Sequence, residues 1–560
     1  MLTQTRFLLR RILILRPSKA PSSTRFFTRH RNLLSTTRPQ LPFLTVPLKR
    51  NGQFRYLTTE RKRWLAYEVF LGLKYTVYIW AIGAFLMAGF WSLQQEWLER
   101  RYPSPHEWRF LTRLRFRLLM WGPDRTDTIE PNWVQIGEYA KNVLSRLEDP
   151  NLDGAEVQDL ADGPVYIDGI GKSGYNITAK SENWRRGYYE VLMICAKAAE
   201  NLDYHVLDKE RNIVFPKDQV LGPSNPKPKP ITPGSPSAPH EDDVVPYYET
   251  PETFYMRVLT TRGFTTKQKL DAALAYASWL DFKNIPEAAE RMYEWALQLA
   301  SENTPPTQLP YDQETLVLRE GVRKPSANIL NSLTAFAVHK ARNECVNTAL
   351  PVLISVLRAR RSLPQPTATT VFAEEDRKTP WSFSNVLGTV RSIIAEPAYP
   401  APPDDGEQPP VRDAKELCEE AGVNLYIGEI IYANKTGSSG REDGLSWTRE
   451  AVDIAEEQLH KLGAESKHKQ AKKTCRDCLA TGLENWSKMA ARLAREEKEK
   501  QATTVPKSSW LGLWGDATRP EETGRWAAEE NVVKERTRRA QEILDELDAP
   551  KAGFWSLFWA

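Results

Sequence analysis

Residues 267–300, KQKLDAALAYASWLDFKNIPEAAERMYEWALQLA, decide the fold class of this chain. Two runs, 267–281 and 286–300, repeat apolar residues at helical spacing, and a turn of four residues separates them. The small and large apolar positions of the two runs are Ala277, Leu280, Ala289, Tyr293 and Ala296. Small residues let two helices cross closely, and large ones fill the space between neighbours. The stretch therefore predicts a pair of packed helices.

Three more predicted pairs follow the first one along the chain. Their predicted ranges are 326–340 with 344–360, 414 onward with 442–461, and 474–495 with 525–548. Small residues recur at positions that correspond to those of the first pair, at Ala337, Ala349, Gly428, Gly444 and Ala451. The spacing is similar to that of tetratricopeptide repeats, and four successive pairs predict an all-α repeat array. A helical domain without repeats is the alternative.

Proline-rich segments divide the chain before the first pair and again between the second and third pairs. Residues 216–246 hold nine prolines and are predicted to be an extended connector, and residues 396–410 hold six more. Strand patterns are scarce, and 165–169 is the main exception. The predicted divisions are a helical region at 100–215, a linker at 216–246, repeats at 250–500, an insertion at 501–522 and a terminal helix with an aromatic tail at 523–560.

The N-terminus has the composition of a mitochondrial targeting presequence, predicted over residues 1–60. Residues 1–59 contain no Asp or Glu but twelve Arg or Lys and thirteen Ser or Thr. A cationic, hydroxyl-rich, acid-poor leader is typical of such presequences. A basic arm that binds nucleic acid is the alternative. A disordered tail is a further alternative. Residues 1–63 carry a charge of +14 and the whole chain +4, so the rest carries −10, and this balance predicts that the body does not bind nucleic acid.

An uncharged run at residues 75–93 is predicted to cross a membrane once. As a helix its nineteen residues span about 28 Å, close to the thickness of a bilayer's hydrocarbon core. Basic residues are balanced on the two sides of the run, so charge does not decide its orientation. A presequence followed at once by a stop-transfer helix favours a single-pass protein of the mitochondrial inner membrane, with its body in the intermembrane space.

No motif in the sequence predicts catalysis, a metal site or a cofactor. Residues 169–173 (GIGKS) resemble the end of a phosphate-binding loop, but Tyr166 stands where that loop requires its first glycine. Cys475 and Cys478 have the spacing of a metal or redox pair, without a second pair to complete a site. Five cysteines in 560 residues do not suit a scaffold built on disulfides. The prediction is a protein that is not an enzyme.

Two aromatic segments are the predicted partner-binding sites. Trp510 and Trp514 lie in the insertion, and Trp555 and Trp559 lie in the tail. Exposed Trp residues in such segments suit docking into a partner groove or onto a membrane surface. Folding back onto the last helices is the alternative.

The order of parts resembles the fungal tetratricopeptide adaptors of the mitochondrial i-AAA protease. The resemblance rests on the leader, the run at 75–93 and the repeat positions from Ala277 to Leu493, with 121–124 (WGPD) and 171–175 (GKSGY) as further features. It implies a non-catalytic adaptor, anchored in the lipid bilayer by one span, that presents misfolded client proteins to the protease complex. The charge of the body predicts no nucleic-acid partner, and the motif search predicts no cofactor. An assembly factor or scaffold for a respiratory-chain complex is the alternative with the same architecture.

Overall fold

The structure is a computed structural model of the 560-residue chain. It describes residues 59–124, 131–160, 166–167, 171–172, 174–231, 234, 236–305, 308–319, 321, 324–365, 399–434, 438–463, 469–504 and 524–548. The predicted presequence at 1–60 lies almost wholly outside these residues, as do Trp510, Trp514, Trp555 and Trp559.

The described part of the chain is mainly helical, with thirteen α-helices. The first five are α1 (Thr59–Arg101), α2 (Phe110–Trp121), α3 (Trp133–Glu148), α4 (Glu182–Leu202) and α5 (Pro251–Thr260). The next four are α6 (Thr266–Phe282), α7 (Pro286–Ser301), α8 (Ala327–Arg342) and α9 (Val346–Arg361). The last four are α10 (Ala414–Asn434), α11 (Ser438–Leu462), α12 (Lys469–Thr504) and α13 (Arg525–Asp548).

Helix α1 contains the predicted membrane span. Between Glu60 and Arg101 it holds an 18-residue window with a mean hydropathy of 1.6, and none of that window is buried within the chain. It is the one described helix that is long and apolar enough to cross a bilayer. The helix extends beyond 75–93 because its polar ends, TERKRW and QQEWLERR, also contain good helix formers.

The C-terminal end of α1 is fixed to α2 by a buried ion cluster. Glu99 is 2% exposed, and its carboxylate lies 2.8 Å from Arg117 Nη1 and 3.2 Å from Arg113 Nη2. The backbone N–H of Ser104 donates to the same carboxylate at 3.0 Å. A buried carboxylate needs such partners, since an unpaired one would lose its hydration without compensation.

Seven short strands accompany the helices in the described part of the chain. They are β1 (Gln158–Asp159), β2 (Tyr166–Ile167), β3 (Gly171–Lys172), β4 (Tyr175–Asn176), β5 (His205–Asp208), β6 (Ile213–Pro216) and β7 (Val244–Pro246). Antiparallel pairs join β1 to β4 and β2 to β3, and β5 lies between β6 and β7 in an antiparallel sheet of three. The strand expected at 165–169 is thus confirmed in β2, whereas the sheet around β5 was not predicted.

The prediction for residues 216–246 is wrong at its ends and in part of its interior. Pro216 closes β6, Pro246 closes β7, and Leu221 forms a bridge with His240. The prolines stand at strand termini, where the missing N–H costs no ladder bond. The segment folds back onto β5 instead of serving only as an extended connector.

From α6 onward, each helix packs against the next one in the chain. The contacts run continuously from α6 through α7, α8, α9, α10, α11 and α12 to α13. The observed helices α6 to α9 begin and end within two residues of their predicted positions. Leu330, Leu333, Leu353 and Val356, all fully buried, fill the space between α8 and α9.

Gly428 and Gly444 bring α10 and α11 into close contact. A Cβ built on Gly428 would lie 2.8 Å from the backbone oxygen of Gly444, and one on Gly444 would lie 2.7 Å from the oxygen of Gly428. No larger residue fits either position without moving a helix.

We expect Gly428→Ala to lower the free energy of unfolding by about 1 to 3 kcal/mol, because the added methyl group overpacks this crossing. Chemical denaturation of the purified full chain in detergent measures the loss. Gly422→Ala is the matched control on the same helix, since a Cβ at Gly422 meets nothing within 4 Å. Equal stability of the two variants would contradict the close crossing.

A disulfide joins the first helices of the last two pairs. Cys418 of α10 is bonded to Cys475 of α12, and both residues are buried. Because Cys475 is bonded to a cysteine 57 residues away, Cys475 and Cys478 do not form a metal or redox pair in this structure. Cys478 is a buried free thiol one turn further along α12.

Candidate binding surface

The first helices of the pairs share one surface, which we call the inner surface. Helices α6, α8, α10 and α12 each pack on the next in this series as well as on their pair partners, and α4 extends the series by packing on α6. The backbones of the second helices α7, α9, α11 and α13 approach one another less closely within the described residues, although side-chain ion pairs join α9 to α11 (Arg361 with Glu450) and α11 to α13 (Arg449 with Glu529). Closer backbone spacing on one side curves such a stack, with the first helices on the concave side.

One end of the inner surface carries two carboxylates in a partly desolvated setting. Burial raises the pKa of Glu190 to about 7, against a lowering effect of Arg186. Burial also raises the pKa of Asp271, which faces Lys267 and Lys415. Tyr189 is electrostatically coupled to both carboxylates, and its pKa is raised by burial and by their charges. These carboxylates are therefore acceptors with little competing water.

The other end of the inner surface is built around Tyr426 on α10. Burial and the charge of Glu429 raise the pKa of Tyr426, while Arg342 at the end of α8 lowers it. Glu429 accepts a hydrogen bond from Asn485 of α12, and burial raises its pKa as well. Glu419 lies near both Tyr426 and Cys478. Three helices thus supply one polar surface.

The raised pKa of Glu190 predicts a pH-dependent stability. Its ordinary pKa is near 4.5 and its folded value about 7, so the folded state holds the proton more tightly, and stability falls as the pH rises through 7. Glu190→Gln removes the buried charge. We expect the variant to be more stable than the wild type by about 1 to 2 kcal/mol at pH 8 and nearly equal to it at pH 4.5.

Denaturation at the two pH values measures this difference. Glu182→Gln, an exposed position of the same helix, is the control and should follow the wild type at both. Parallel pH profiles for Glu190→Gln and the wild type would contradict a desolvated Glu190.

The inner surface mixes charges of both signs with tyrosine hydroxyls. Lys415, Arg342 and Lys488 lie near the carboxylates described above. A mixture of donors and acceptors suits a polypeptide, whose backbone offers both, better than the uniformly anionic backbone of a nucleic acid. The inner surface is therefore the candidate binding surface of the chain.

A His–Asp pair lies between α6, α7 and α8. His339 Nδ1 is 2.7 Å from Asp281 Oδ1, and the Tyr293 hydroxyl donates to Asp281 Oδ2 at 3.0 Å. Asn343 Nδ2 lies 3.1 Å from His339 Nε2. The His339 side chain is 0% exposed, so no substrate reaches it. The network holds three helices together, and no group of three or more potential metal ligands occurs in the described part of the chain.

Comparisons with protein-family models, with curated proteins and with solved structures give no match.

The residues predicted to bind partners and those of the inner surface are different sets. Trp510, Trp514, Trp555 and Trp559 lie outside the described residues. Of the residues resembling a phosphate-binding loop, Gly171 and Lys172 form strand β3, which pairs with β2. The inner surface had a signal in the sequence, because Glu419, Tyr426 and Glu429 recur at helical spacing on one face of α10.

Proposed function

We propose that this chain is a membrane-anchored, non-catalytic adaptor that holds a client polypeptide on its inner surface. The proposal rests on the inner surface, which is formed by four first helices and α4. This surface places partly desolvated carboxylates beside cationic side chains. Repeat proteins use such extended concave surfaces for binding. The partner that fits the anchor and the leader is the mitochondrial i-AAA protease complex, to which misfolded clients would be presented.

A tetratricopeptide-like character of the array is part of the proposal. Support comes from the small residues at the helix crossings, where Ala277, Ala289, Ala337 and Ala349 are almost completely buried. Gly428 and Gly444 serve the same purpose in the third pair. The long chain segments between α9 and α10, and between α12 and α13, would be insertions in that array.

The proposed location is the mitochondrial inner membrane, with the body in the intermembrane space. Helix α1 supports a single-pass anchor. The disulfide between Cys418 and Cys475 supports an oxidising compartment for the body, since reducing compartments keep thiols free. The disulfide therefore favours the orientation with the body in the intermembrane space, which the balanced charges around the span do not decide.

The location is tested with an epitope tag inserted in the body. Intact mitochondria should protect the tag from added protease, and rupture of the outer membrane should expose it. Protection that persists after rupture would place the body in the matrix and contradict the proposal.

The binding role is tested by purifying the tagged full chain from mildly solubilised mitochondria, followed by mass spectrometry. We expect the i-AAA protease and client proteins to co-purify. Clients, but not the protease, should be lost from the variant Glu419→Lys with Glu429→Lys. Glu457→Lys is the matched control on the second helix α11, where the side chain is 60% exposed.

Two results would contradict the adaptor role. One is recovery of clients with the double variant at the wild-type level, which would show that clients do not bind the inner surface. The other is recovery of a respiratory-chain complex without the protease, which would favour the assembly role.

A further inference from the structure

Residues 399–408, YPAPPDDGEQ, form an extended segment that we call the strap. It precedes α10 and lies against α4, the N-terminal ends of α6 and α8, and the end of α7. The proline-rich character of this segment was apparent in the sequence, but its docking on helices distant in the chain was not. Its contacts show what the helices beneath it recognise.

The aromatic end of the strap binds one arginine. The Arg186 guanidinium lies over the Tyr399 ring, 4.2 Å from its centroid. Arg186 Nη2 also donates to the carbonyl oxygen of Pro400 at 2.9 Å. A stacked guanidinium that also donates a hydrogen bond holds both the ring and the backbone that follows it.

The acidic end of the strap binds the first turns of α6 and α8. The backbone N–H of Lys267 donates to the Asp405 carboxylate at 3.1 Å, and Lys267 Nζ donates to the carbonyl of Asp404 at 3.1 Å. The backbone N–H of Asn328 donates to the carbonyl of Gly406 at 3.1 Å, and its side-chain amide to that of Asp405 at 2.9 Å. Free N–H groups at helix N-termini favour such acceptors.

In the remaining polar contacts, too, the helices donate the hydrogen bond and the strap accepts it. Asn303 Nδ2 donates to the Glu407 carboxylate at 2.6 Å, and the Thr266 hydroxyl to the same oxygen at 3.3 Å. The backbone N–H of Ala327 donates to the carbonyl of Gln408 at 3.2 Å. In each of these bonds the helices donate and the strap accepts. The docking site is thus selective for a peptide rich in acceptors.

The strap is attached at the surface and is not part of a hydrophobic core. Its residues from Pro400 to Asp404 are exposed. A cavity of about 180 Å³ lies between the strap and the helices α4 and α6, with Pro402, Pro403 and Asp405 along one side. The strap is held over this cavity by one ring and the eight hydrogen bonds described above, and most of its residues are exposed, so it can be exchanged without unfolding the helices.

We propose that the strap site is a peptide-binding site for an extended acidic segment of a partner protein, with an aromatic residue before the acids, and that the strap fills it in cis. This site adjoins the Glu190 end of the inner surface and shares Arg186 and Lys267 with it. The client-binding variants proposed above lie at the other end, around Tyr426, so failure of one proposal can be told from failure of the other. A partner must compete with a tethered segment at high effective concentration, so its apparent Kd is the intrinsic Kd divided by the fraction of molecules in which the strap is undocked.

Gly406 allows the strap to be released without a change of charge. It has φ +71° and is buried, and a Cβ there would lie 2.3 Å from Asn328 Oδ1. Gly406→Ala should therefore undock the acidic end of the strap. Gly422→Ala is the control, and circular dichroism checks that both variants fold. Asp405→Asn with Glu407→Gln is a second release variant, in case the first does not fold.

The probe is a fluorescent peptide of residues 399–411, added to the purified full chain in detergent and followed by anisotropy. We expect a release variant to bind it about tenfold more tightly than the wild type or Gly422→Ala, since one charge-assisted contact has this value. Arg186→Glu with Lys267→Glu, added to the release variant, should abolish binding.

Three outcomes would overturn the proposal. The release variant could bind the peptide no better than it binds a scrambled peptide of the same composition. It could bind equally well with the two charge reversals in place. The wild type could bind as tightly as the release variant, which would mean that the strap does not occupy the site.

Discussion

Replacing Cys418 by Ser is expected to lower the free energy of unfolding of the body by about 4 kcal/mol. The bond to Cys475 closes a loop with a sequence separation of 57 residues, and both cysteines are buried between α10 and α12. Without the bond, the unfolded chain regains the entropy that this closure removes. Chemical denaturation of the full chain in detergent measures the difference.

The control for this variant is Cys345→Ser, which removes an exposed free thiol and should leave the stability within about 0.5 kcal/mol of the wild type. Cys475→Ser should match Cys418→Ser, and the double variant should cost no more than either one. Additive losses in the double variant would show that the cysteines act separately and would contradict the disulfide.

Glu416→Ala is expected to cost about 3 to 5 kcal/mol, because it leaves a buried guanidinium without its counter-charge. The Arg360 side chain is 2% exposed and forms an ion pair with Glu416. Its other hydrogen bond is to Asn331 Oδ1 at 2.9 Å, which is too little for a buried cation. Helices α9 and α10 meet at this pair, so the loss would weaken the junction between the second and third helix pairs.

The matched comparison is Glu450→Ala, which removes a carboxylate that is 48% exposed from its pair with Arg361. That loss should stay below about 1 kcal/mol. The variant Glu416→Leu with Arg360→Met should recover most of the stability lost in Glu416→Ala, since it leaves no unpaired charge. Equal losses at Glu416 and Glu450 would contradict a buried ion pair.

Helical periodicity in the sequence was sufficient to place most of the helices. Helix α13 has the predicted bounds, 525–548, and α6 and α7 differ from theirs by at most one residue. The periodic apolar residues of these helices are set by local chain geometry, so a single stretch contains the signal. Helix α12 is longer than predicted because its last turns, after Arg495, are charged and lack an apolar face.

Features that depend on distant residues could not be predicted in this way. The fold brings Cys418 of α10 beside Cys475 of α12, and no pattern in the sequence predicted that these two cysteines would pair. The strap looks like a proline-rich break until the first turns of α6 and α8 are placed beside it. The inner surface is an intermediate case, because the spacing of its residues on α10 was visible but their neighbours on α8 and α12 were not.

The proposed delivery of bound clients to the i-AAA protease is tested most directly by a pulse-chase of the co-purifying clients. The cells compared carry the wild-type chain, no chain, or the chain with Glu419→Lys plus Glu429→Lys. We predict that removal of the chain lengthens client half-life to that seen without the protease, and that the double variant fails to restore turnover. Clients degraded at the same rate in all three cells would contradict the account.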